Sequence, residues 1–495
     1  MLNVYLSLLA AAALCAPVLA NQDQNSQTAG APLLLENCEL PGSGGYAALE
    51  ARCGRVAVPE NPAEPAGRMI ELFVAIIPAQ SRKAAPDAFT FLAGGPGQAA
   101  TTAFVDIARA FKAIGQDRDV LLVDQRGTGK SAALECADEE NLMGVTPSDE
   151  QLLASISSCL EALQADPLYY TTSIAVDDLE HVRKLLGYAQ LNVYGGSYGT
   201  RVGLHYLRKY PDSVRTLILD GVVPADISLG PGIAIAAQQA LDRVFRRCES
   251  DETCQATFGD LRKQFAALQT GLREAPIQIS LAHPVSGRPR EISFDYKRFA
   301  VAIRLLSYAP ESVALMPLLL YQAVSENYPG PLAAQAVMIE ETLSQALSFG
   351  MHNSVVCTED APFYADEQID RQLLKTTYLG ESQLSLLEKI CSIWPAGVID
   401  TGFKTPVVSA LPILLLSGSA DPVTPPAYAE RAARTLSNHA HLVGQDMGHI
   451  LAPVGCVPRL MDIYVRQASL DGIDASCLEN IRPEPFFTSF NGPEP

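Results

Sequence analysis

Cations and tryptophan are scarce in this sequence. Its 495 residues carry 36 Lys and Arg against 55 Asp and Glu, a net charge of −19, and a single Trp. Neutralising a phosphate backbone takes a basic face, so this balance argues against a nucleic-acid binder. Long hydrophobic runs are missing as well. The longest, Leu6 to Ala16, covers about 10 residues, well short of the roughly 20 that a spanning helix needs, so no stable membrane insertion is expected. No Cys-x-x-Cys occurs, and no Cys stands at zinc-ligand spacing from a His. A P-loop and a Rossmann glycine fingerprint are also absent, so neither metal nor cofactor is expected. What is abundant is apolar side chain, at 48% of residues, enough for a sizeable core and too much for wholesale disorder.

The apolar run Leu6 to Ala16 leads into Val18-Leu19-Ala20 and then into polar Asn21-Gln22-Asp23-Gln24. This pattern predicts a secretory signal over residues 1–20 and an exported, periplasmic or extracellular protein, although no Lys or Arg precedes the run. Cys15 would leave with the signal. The ten remaining cysteines, Cys38, Cys53, Cys136, Cys159, Cys248, Cys254, Cys357, Cys391, Cys456 and Cys477, are even in number and scattered, as disulfides in an oxidising compartment would be. Their connectivity stays open; pairing each with its neighbour is the simplest arrangement because it closes the shortest loops.

Three textures follow one another. Residues 21–223 contain short apolar, β-branched runs separated by helical patterns: Ile70 to Ile77, Ala88 to Leu92, Asp119 to Val123, Leu191 to Tyr194 and Thr216 to Leu219. Near-continuous apolar strands alternating with helices predict a mostly parallel α/β sheet covered on both faces. Residues 224–402 are mainly helical. Leu241, Val244, Phe245 and Cys248 follow helical spacing, as do Leu261, Phe265, Leu268 and Leu272, and Ile277 to Leu281 alternates so as to pair with Ile292 to Phe294. Residues 403–495 bring back buried-strand patterns at Pro412 to Leu416 and Ala440 to Val443. A sheet that pauses and resumes predicts a core with an inserted helical cap.

The strongest chemical signal is Gly195-Gly196-Ser197-Tyr198-Gly199, after one predicted strand and before the helical stretch Thr200 to Tyr210. That is the context of a nucleophile elbow. A serine on a sharp strand-to-helix turn brings the positions two before and two after it together, so both must be small. A serine also needs a base. Of His181, His205, His283, His352, His439, His441 and His449, the last lies in a loop just past the final strand, where the order nucleophile, acid, base places it. The acid belongs after the preceding strand, where Asp421 stands in Ser419-Ala420-Asp421-Pro422; Asp446 is the local rival but sits too close in sequence to reach back. An oxyanion hole needs two main-chain N–H groups. Tyr198 is expected to supply one, and Gly95, with Gly94 as the fallback, the other, from Leu92-Ala93-Gly94-Gly95-Pro96-Gly97.

In order along the chain, Gly94-Gly95-Pro96-Gly97, Asp124-Gln125-Arg126-Gly127-Thr128-Gly129, Gly195 to Thr200, Asp421-Pro422-Val423-Thr424-Pro425 and Gly448-His449 resemble the secreted tripeptidyl-aminopeptidase branch of the α/β-hydrolases, akin to prolyl aminopeptidases. The resemblance covers nearly the whole chain after the signal. It implies a serine exopeptidase acting on peptides with a free N-terminus, with Ser197, Asp421 and His449 as triad. Ala93 departs from the His that cytosolic prolyl aminopeptidases carry there, which leans away from strict proline preference. An aminopeptidase must also hold the substrate amine, and Glu359 and Asp360 are the candidate carboxylates for it. Arg126 is expected to tie loops together rather than to touch substrate. An ester hydrolase with the same triad is the alternative, since both reactions pass through the same intermediate. A non-catalytic binding protein on this scaffold is the remaining class.

Overall fold

The computed structural model describes residues 33–42, 47–135, 148–283 and 286–493. The predicted signal at 1–20 and Cys136 lie outside the described residues. Eleven strands form among the described residues: β1 (Glu36–Leu40), β2 (Leu49–Pro59), β3 (Met69–Ile77), β4 (Ala88–Leu92), β5 (Val120–Val123), β6 (Leu191–Gly196), β7 (Val214–Asp220), β8 (Ile277–Ala282), β9 (Pro289–Phe294), β10 (Ile413–Gly418) and β11 (His439–Gly444). Nine build one sheet in the order β1-β2-β3-β5-β4-β6-β7-β10-β11. From β5 to β11 every neighbour is parallel, while β1, β2 and β3 join antiparallel at the other end.

Burial explains which strands the sequence announces. Every residue of β6 and β10 is buried, because helices cover both faces of the sheet centre and strands there are apolar without alternation. The edge pair β1 and β2 has one solvated face and carries Glu36, Glu39, Glu50, Arg52 and Arg55. Its alternation is broken by charge and by Gly54, so the sequence gives little notice of it. The Cys38–Cys53 disulfide ties these two strands together.

Two apolar clusters sit on the two faces of the sheet. One gathers Val193, Val202, Leu217 and Leu415; the other gathers Phe91, Phe111, Tyr194, Leu414 and Tyr464. Between β7 and β10 the chain leaves the sheet and builds helices with a cluster of their own, including Leu241, Phe245, Phe265, Phe299 and Ile303. The predicted stripes are the buried ones: Leu241, Val244, Phe245 and Cys248 on the helix Ile233–Ser250, and Leu261, Phe265, Leu268 and Leu272 on Leu261–Glu274. The hairpin forms with Ile279 opposite Ile292. The segment is not uniform, however. On the helix Phe349–Glu359, Met351 and Val355 pack into the sheet's cluster rather than the cap's.

Among the described residues, disulfides join Cys38–Cys53, Cys248–Cys254, Cys357–Cys391 and Cys456–Cys477, each a neighbour pair in sequence. Cys159 is also disulfide-bonded. Among the described residues, no helix is long and apolar enough to cross a membrane.

Candidate active site

Ser197 stands between β6 and the helix Tyr198–Lys209 with φ 55° and ψ −124°. A non-glycine residue at positive φ is strained and persists only where its surroundings fix it. Its N–H donates to the Asp220 carbonyl at 2.8 Å, and its carbonyl accepts from Thr200 N at 2.9 Å and Thr200 Oγ1 at 2.6 Å. The small residues flanking it are required by close approach. A Cβ at position 195 would lie 2.3 Å from the Gly199 carbonyl oxygen, and one at 199 would lie 2.1 Å from that of Leu92. The crowding expected around the serine is therefore present, with the β4 loop as a third party to it.

That loop runs directly over the serine: a Cβ on Gly94 would stand 3.1 Å from Ser197 Cβ. Gly95 has φ 105°. Tyr198 is the first residue of its helix, so its N–H has no intrahelical acceptor and is available to an external oxygen. The Tyr198 side chain is buried, accepting from Gln125 Nε2 at 3.1 Å and bonding Thr172 Oγ1 at 2.6 Å. The cap side holds the same loop: Ser348 N donates to the Gly97 carbonyl at 2.9 Å, and His352 Nδ1 lies 3.3 Å from the Pro96 carbonyl.

Asp421 follows β10 and is buried. Its Oδ1 accepts from Val423 N at 2.9 Å and Thr424 N at 2.8 Å. Its Oδ2 accepts from Thr424 Oγ1 at 2.8 Å and from His449 Nδ1 at 2.8 Å. A carboxylate on Nδ1 fixes the tautomer that leaves Nε2 as the free basic nitrogen. The His449 main-chain N–H donates to the Tyr308 carbonyl at 2.8 Å, and the Tyr308 ring meets the imidazole edge-on at 5.0 Å. Burial pushes the His449 pKa down, but the Asp421 carboxylate more than offsets it, and the ring is held above the ordinary histidine value. The imidazole packs against Gly221, where an added Cβ would lie 2.9 Å from Cε1. Gly221 follows the residue whose carbonyl receives the Ser197 N–H. Ser197, Asp421 and His449 thus gather at the C-terminal ends of β6, β7 and β10.

Four other histidines have structural partners: His205 with Asp400, His283 with Glu341, His439 with the Leu436 carbonyl and His441 with Ser417 Oγ. Arg126 ties loops, as expected. It is buried, forks onto Asp178 at 2.6 and 2.8 Å, and donates to the carbonyls of Glu60 and Tyr169.

Glu359 and Asp360 are placed differently from the sequence expectation. Both are fully buried. Glu359 accepts from Thr172 N at 2.7 Å and Thr172 Oγ1 at 2.9 Å, with Arg201 at 3.7 Å. Asp360 accepts from both Arg201 Nη atoms, at 2.8 and 3.1 Å, and from Leu229 N at 2.8 Å. Each oxygen of the pair has a donor and neither residue has open surface, so a substrate amine has no approach. Arg201 lies one turn beyond Ser197, and the pair joins the elbow helix to the helix Phe349–Glu359.

Sequence reasoning misses Asp220. It closes β7, is fully buried, and accepts from Leu451 N at 2.8 Å, Ala452 N at 2.7 Å and Tyr194 OH at 2.9 Å. Burial pushes its pKa up to about 6. The available signal is one acidic residue ending the apolar run Leu217-Ile218-Leu219. Thr424, which bonds both Asp421 and His449, at 2.8 and 3.2 Å, is a second omission.

Residues 87–247 match the family model described as alpha/beta hydrolase fold, and residues 376–477 match the one described as TAP-like protein. Over 435 residues the chain is 24% identical to the putative hydrolase YuaR of Escherichia coli (strain K12), an alignment covering 82% of this chain and 83% of that protein. It is 29% identical over 189 residues to the serine protease Hip1 of Mycobacterium tuberculosis (strain ATCC 25618 / H37Rv), covering 35% and 36%. It is 29% identical over 196 residues to the tripeptidyl aminopeptidase of Streptomyces lividans, covering 35% of each. The alignments with these last two span about a third of those proteins' length.

Proposed function

For a chain that belongs to the α/β-hydrolases and carries a TAP-like C-terminal region, we propose an exported serine aminopeptidase that releases tripeptides or single residues from peptide N-termini. The observation that carries this reading is the Asp421–His449 pair at 2.8 Å beside a serine held at φ 55°. The peptidase names among the relatives supply the substrate class. The disulfides fit an oxidising compartment.

Ser197 Oγ attacks the scissile carbonyl carbon while His449 Nε2 takes its proton. The main-chain N–H groups of Gly95 and Tyr198 receive the oxyanion. Asp421 keeps the imidazole in its tautomer and stabilises the imidazolium. His449 then protonates the leaving amine, the C–N bond breaks, and the acyl group remains on Ser197. Water, deprotonated by His449, attacks the ester and releases the N-terminal fragment.

A fluorophosphonate probe should label one serine in the wild type and none in Ser197→Ala. Peptide anilides with free N-termini should be turned over faster than N-blocked anilides and short-chain esters. Labelling that persists in the variant removes Ser197 as nucleophile. Turnover of esters or blocked peptides alone removes the aminopeptidase reading.

A further inference from the structure

Among the described residues, six other than glycine have a positive φ: Ala132, Ser197, Asn327, Asp446, Ile450 and Ala468. Ser197 is the proposed nucleophile, and Asn and Asp enter this region more readily than other side chains. Ile450, at φ 69°, is the one β-branched residue of the six, and it follows His449 directly. A branched Cβ is strained there, whereas glycine would take the same conformation freely.

The chain on either side explains why the strain persists. The His449 N–H donates to the Tyr308 carbonyl at 2.8 Å, and Leu451 N and Ala452 N donate to the Asp220 carboxylate at 2.8 and 2.7 Å. Fixed before and after, the backbone must turn at Ile450. These are main-chain bonds, and they would hold a glycine as well as an isoleucine. The reason for the branched side chain therefore lies in what that side chain touches.

Its Cδ1 lies 3.4 Å from where a Cβ on Gly196 would stand, and Gly196 immediately precedes Ser197. The side chain thus rests on the elbow while its own backbone continues from His449. Ile450 is half-buried, packing inward on the sheet cluster of Phe91 and Tyr194 and keeping surface open, and Ser197 and His449 are half-buried as well. An apolar group that joins elbow to base, with surface to spare, borders the bond to be cleaved.

Topology assigns the side. β6 lies between β4 and β7. The Gly94–Gly97 loop reaches Ser197 from β4, whereas the loop of His449 and Ile450 is tied to Asp220 at the end of β7. A carbonyl oxygen turned toward the β4 loop presents its C–N bond to the β7 side, where His449 protonates the amine. We propose that Ile450 is a specificity-determining residue whose side chain forms an apolar wall against the first residue of the leaving fragment. A branched apolar residue is then preferred to alanine at that position. This rests on the aminopeptidase reading.

The test measures kcat/KM per fluorophosphonate-labelled site, so that unfolded protein does not enter. One series varies the leaving residue, Ala-Ala-Ala-Leu-NH2 against Ala-Ala-Ala-Ala-NH2, or Ala-Leu-NH2 against Ala-Ala-NH2 if single residues are released. The other varies the acyl residue before a constant p-nitroanilide, Ala-Ala-Leu against Ala-Ala-Ala, or Leu against Ala. In the leaving series the wild type should favour Leu over Ala by about five-fold or more, as an apolar contact provides. Ile450→Asn suits the positive φ and removes the apolar wall. It should bring that ratio within about two-fold of unity and leave the ratio of the acyl series unchanged within about two-fold. Ile450→Val keeps the branched Cβ and deletes only Cδ1, and its leaving-series ratio should fall between the two. A wild-type ratio near one, or a ratio unchanged in Ile450→Asn, overturns the proposal. So does an equal change in both series, which would make Ile450 a support of His449 alone. If the wild type cleaves neither peptides nor free-N-terminal anilides, the aminopeptidase reading fails by itself. The wall is then read by protection of Ser197 from fluorophosphonate: Leu-NH2 should protect at lower concentration than Ala-NH2 in the wild type and equally in Ile450→Asn, and equal protection in the wild type overturns it.

Discussion

The carboxylate of Asp220, at the end of β7, receives the main-chain N–H of Leu451, two residues past His449, at 2.8 Å. With Ala452 N at 2.7 Å and Tyr194 OH at 2.9 Å, three donors converge on one side chain. The loop carrying His449 is thereby pinned to the strand whose last carbonyl also holds Ser197 N. Asp220 is a positioning residue. An asparagine there offers one acceptor oxygen and turns an NH2 toward N–H groups, so Asp220→Asn should lower kcat by about 10- to 100-fold, the range of a loosened second layer, with little change in KM. Its negative charge also raises the His449 pKa. The proposed mechanism needs neutral His449, so on that reading removing the charge should move the acid limb of kcat/KM to lower pH. A purely structural role would lower activity without moving that limb, and this outcome would defeat the assignment.

Glu359 makes a prediction about stability and pH. Burial outweighs its bonds to Thr172 and the Arg201 charge, and its pKa is pushed up to about 7, from an ordinary 4.5. A carboxyl whose pKa rises on folding contributes stability that is full below the unfolded value and lost as pH climbs through the folded one. The stability of the wild type relative to Glu359→Gln should therefore fall between about pH 4.5 and 7 by on the order of 1–3 kcal/mol. Chemical denaturation of both proteins across that range checks it. A difference independent of pH would mean that folding leaves the Glu359 pKa at its unfolded value.

Arg201 should be the most costly single charge to remove. It is fully buried, with Asp360 at 2.8 Å and Glu359 at 3.7 Å. Burial opposes its charge, yet the two carboxylates hold its pKa above the ordinary arginine value. Arg201→Met keeps the volume but strands both acids without a cation, and breaking such a pair costs about 3–5 kcal/mol. The triple variant with Glu359→Gln and Asp360→Asn should recover much of that loss. If the triple variant is as unstable as the single one, packing rather than stranded charge is the cause.

Legibility in the sequence followed burial. Strands buried on both faces, such as Ala88–Leu92 and Ile413–Gly418, are continuous apolar runs and are found to within a residue or two. The elbow is legible because its steric demands fall on adjacent residues, Gly195 to Gly199. The edge strands β1 and β2 are hidden because half of their residues face water and pair with a partner the sequence does not announce. The purpose of Glu359 and Asp360 is hidden for a different reason. Two neighbouring acids look alike whether they face a cleft or Arg201, and only the long-range contact closed by the fold, across a separation of 159 for Asp360, decides between them. Asp220 escapes notice for the same cause: its three donors come from β6 and from the loop after β11.

The Cys357–Cys391 disulfide should matter to the active site as well as to the fold. It closes a sequence separation of 34 and anchors the helix Phe349–Glu359 to the helix Ser382–Cys391. The first of these helices presents His352 to the Pro96 carbonyl and ends at Glu359, while Ser348 just before it bonds Gly97. Removing the bridge restores freedom to the unfolded chain, a loss of about 3–4 kcal/mol for a loop of this size. It also frees one support of the loop over Ser197. The variant Cys357→Ser/Cys391→Ser should therefore lose fluorophosphonate labelling at a lower temperature than the wild type. That loss should precede the unfolding seen by far-ultraviolet circular dichroism, because the loop over Ser197 is released before the sheet melts. Coincident loss of labelling and secondary structure would place the bridge in global stability alone, and an unchanged labelling midpoint would deny it either role.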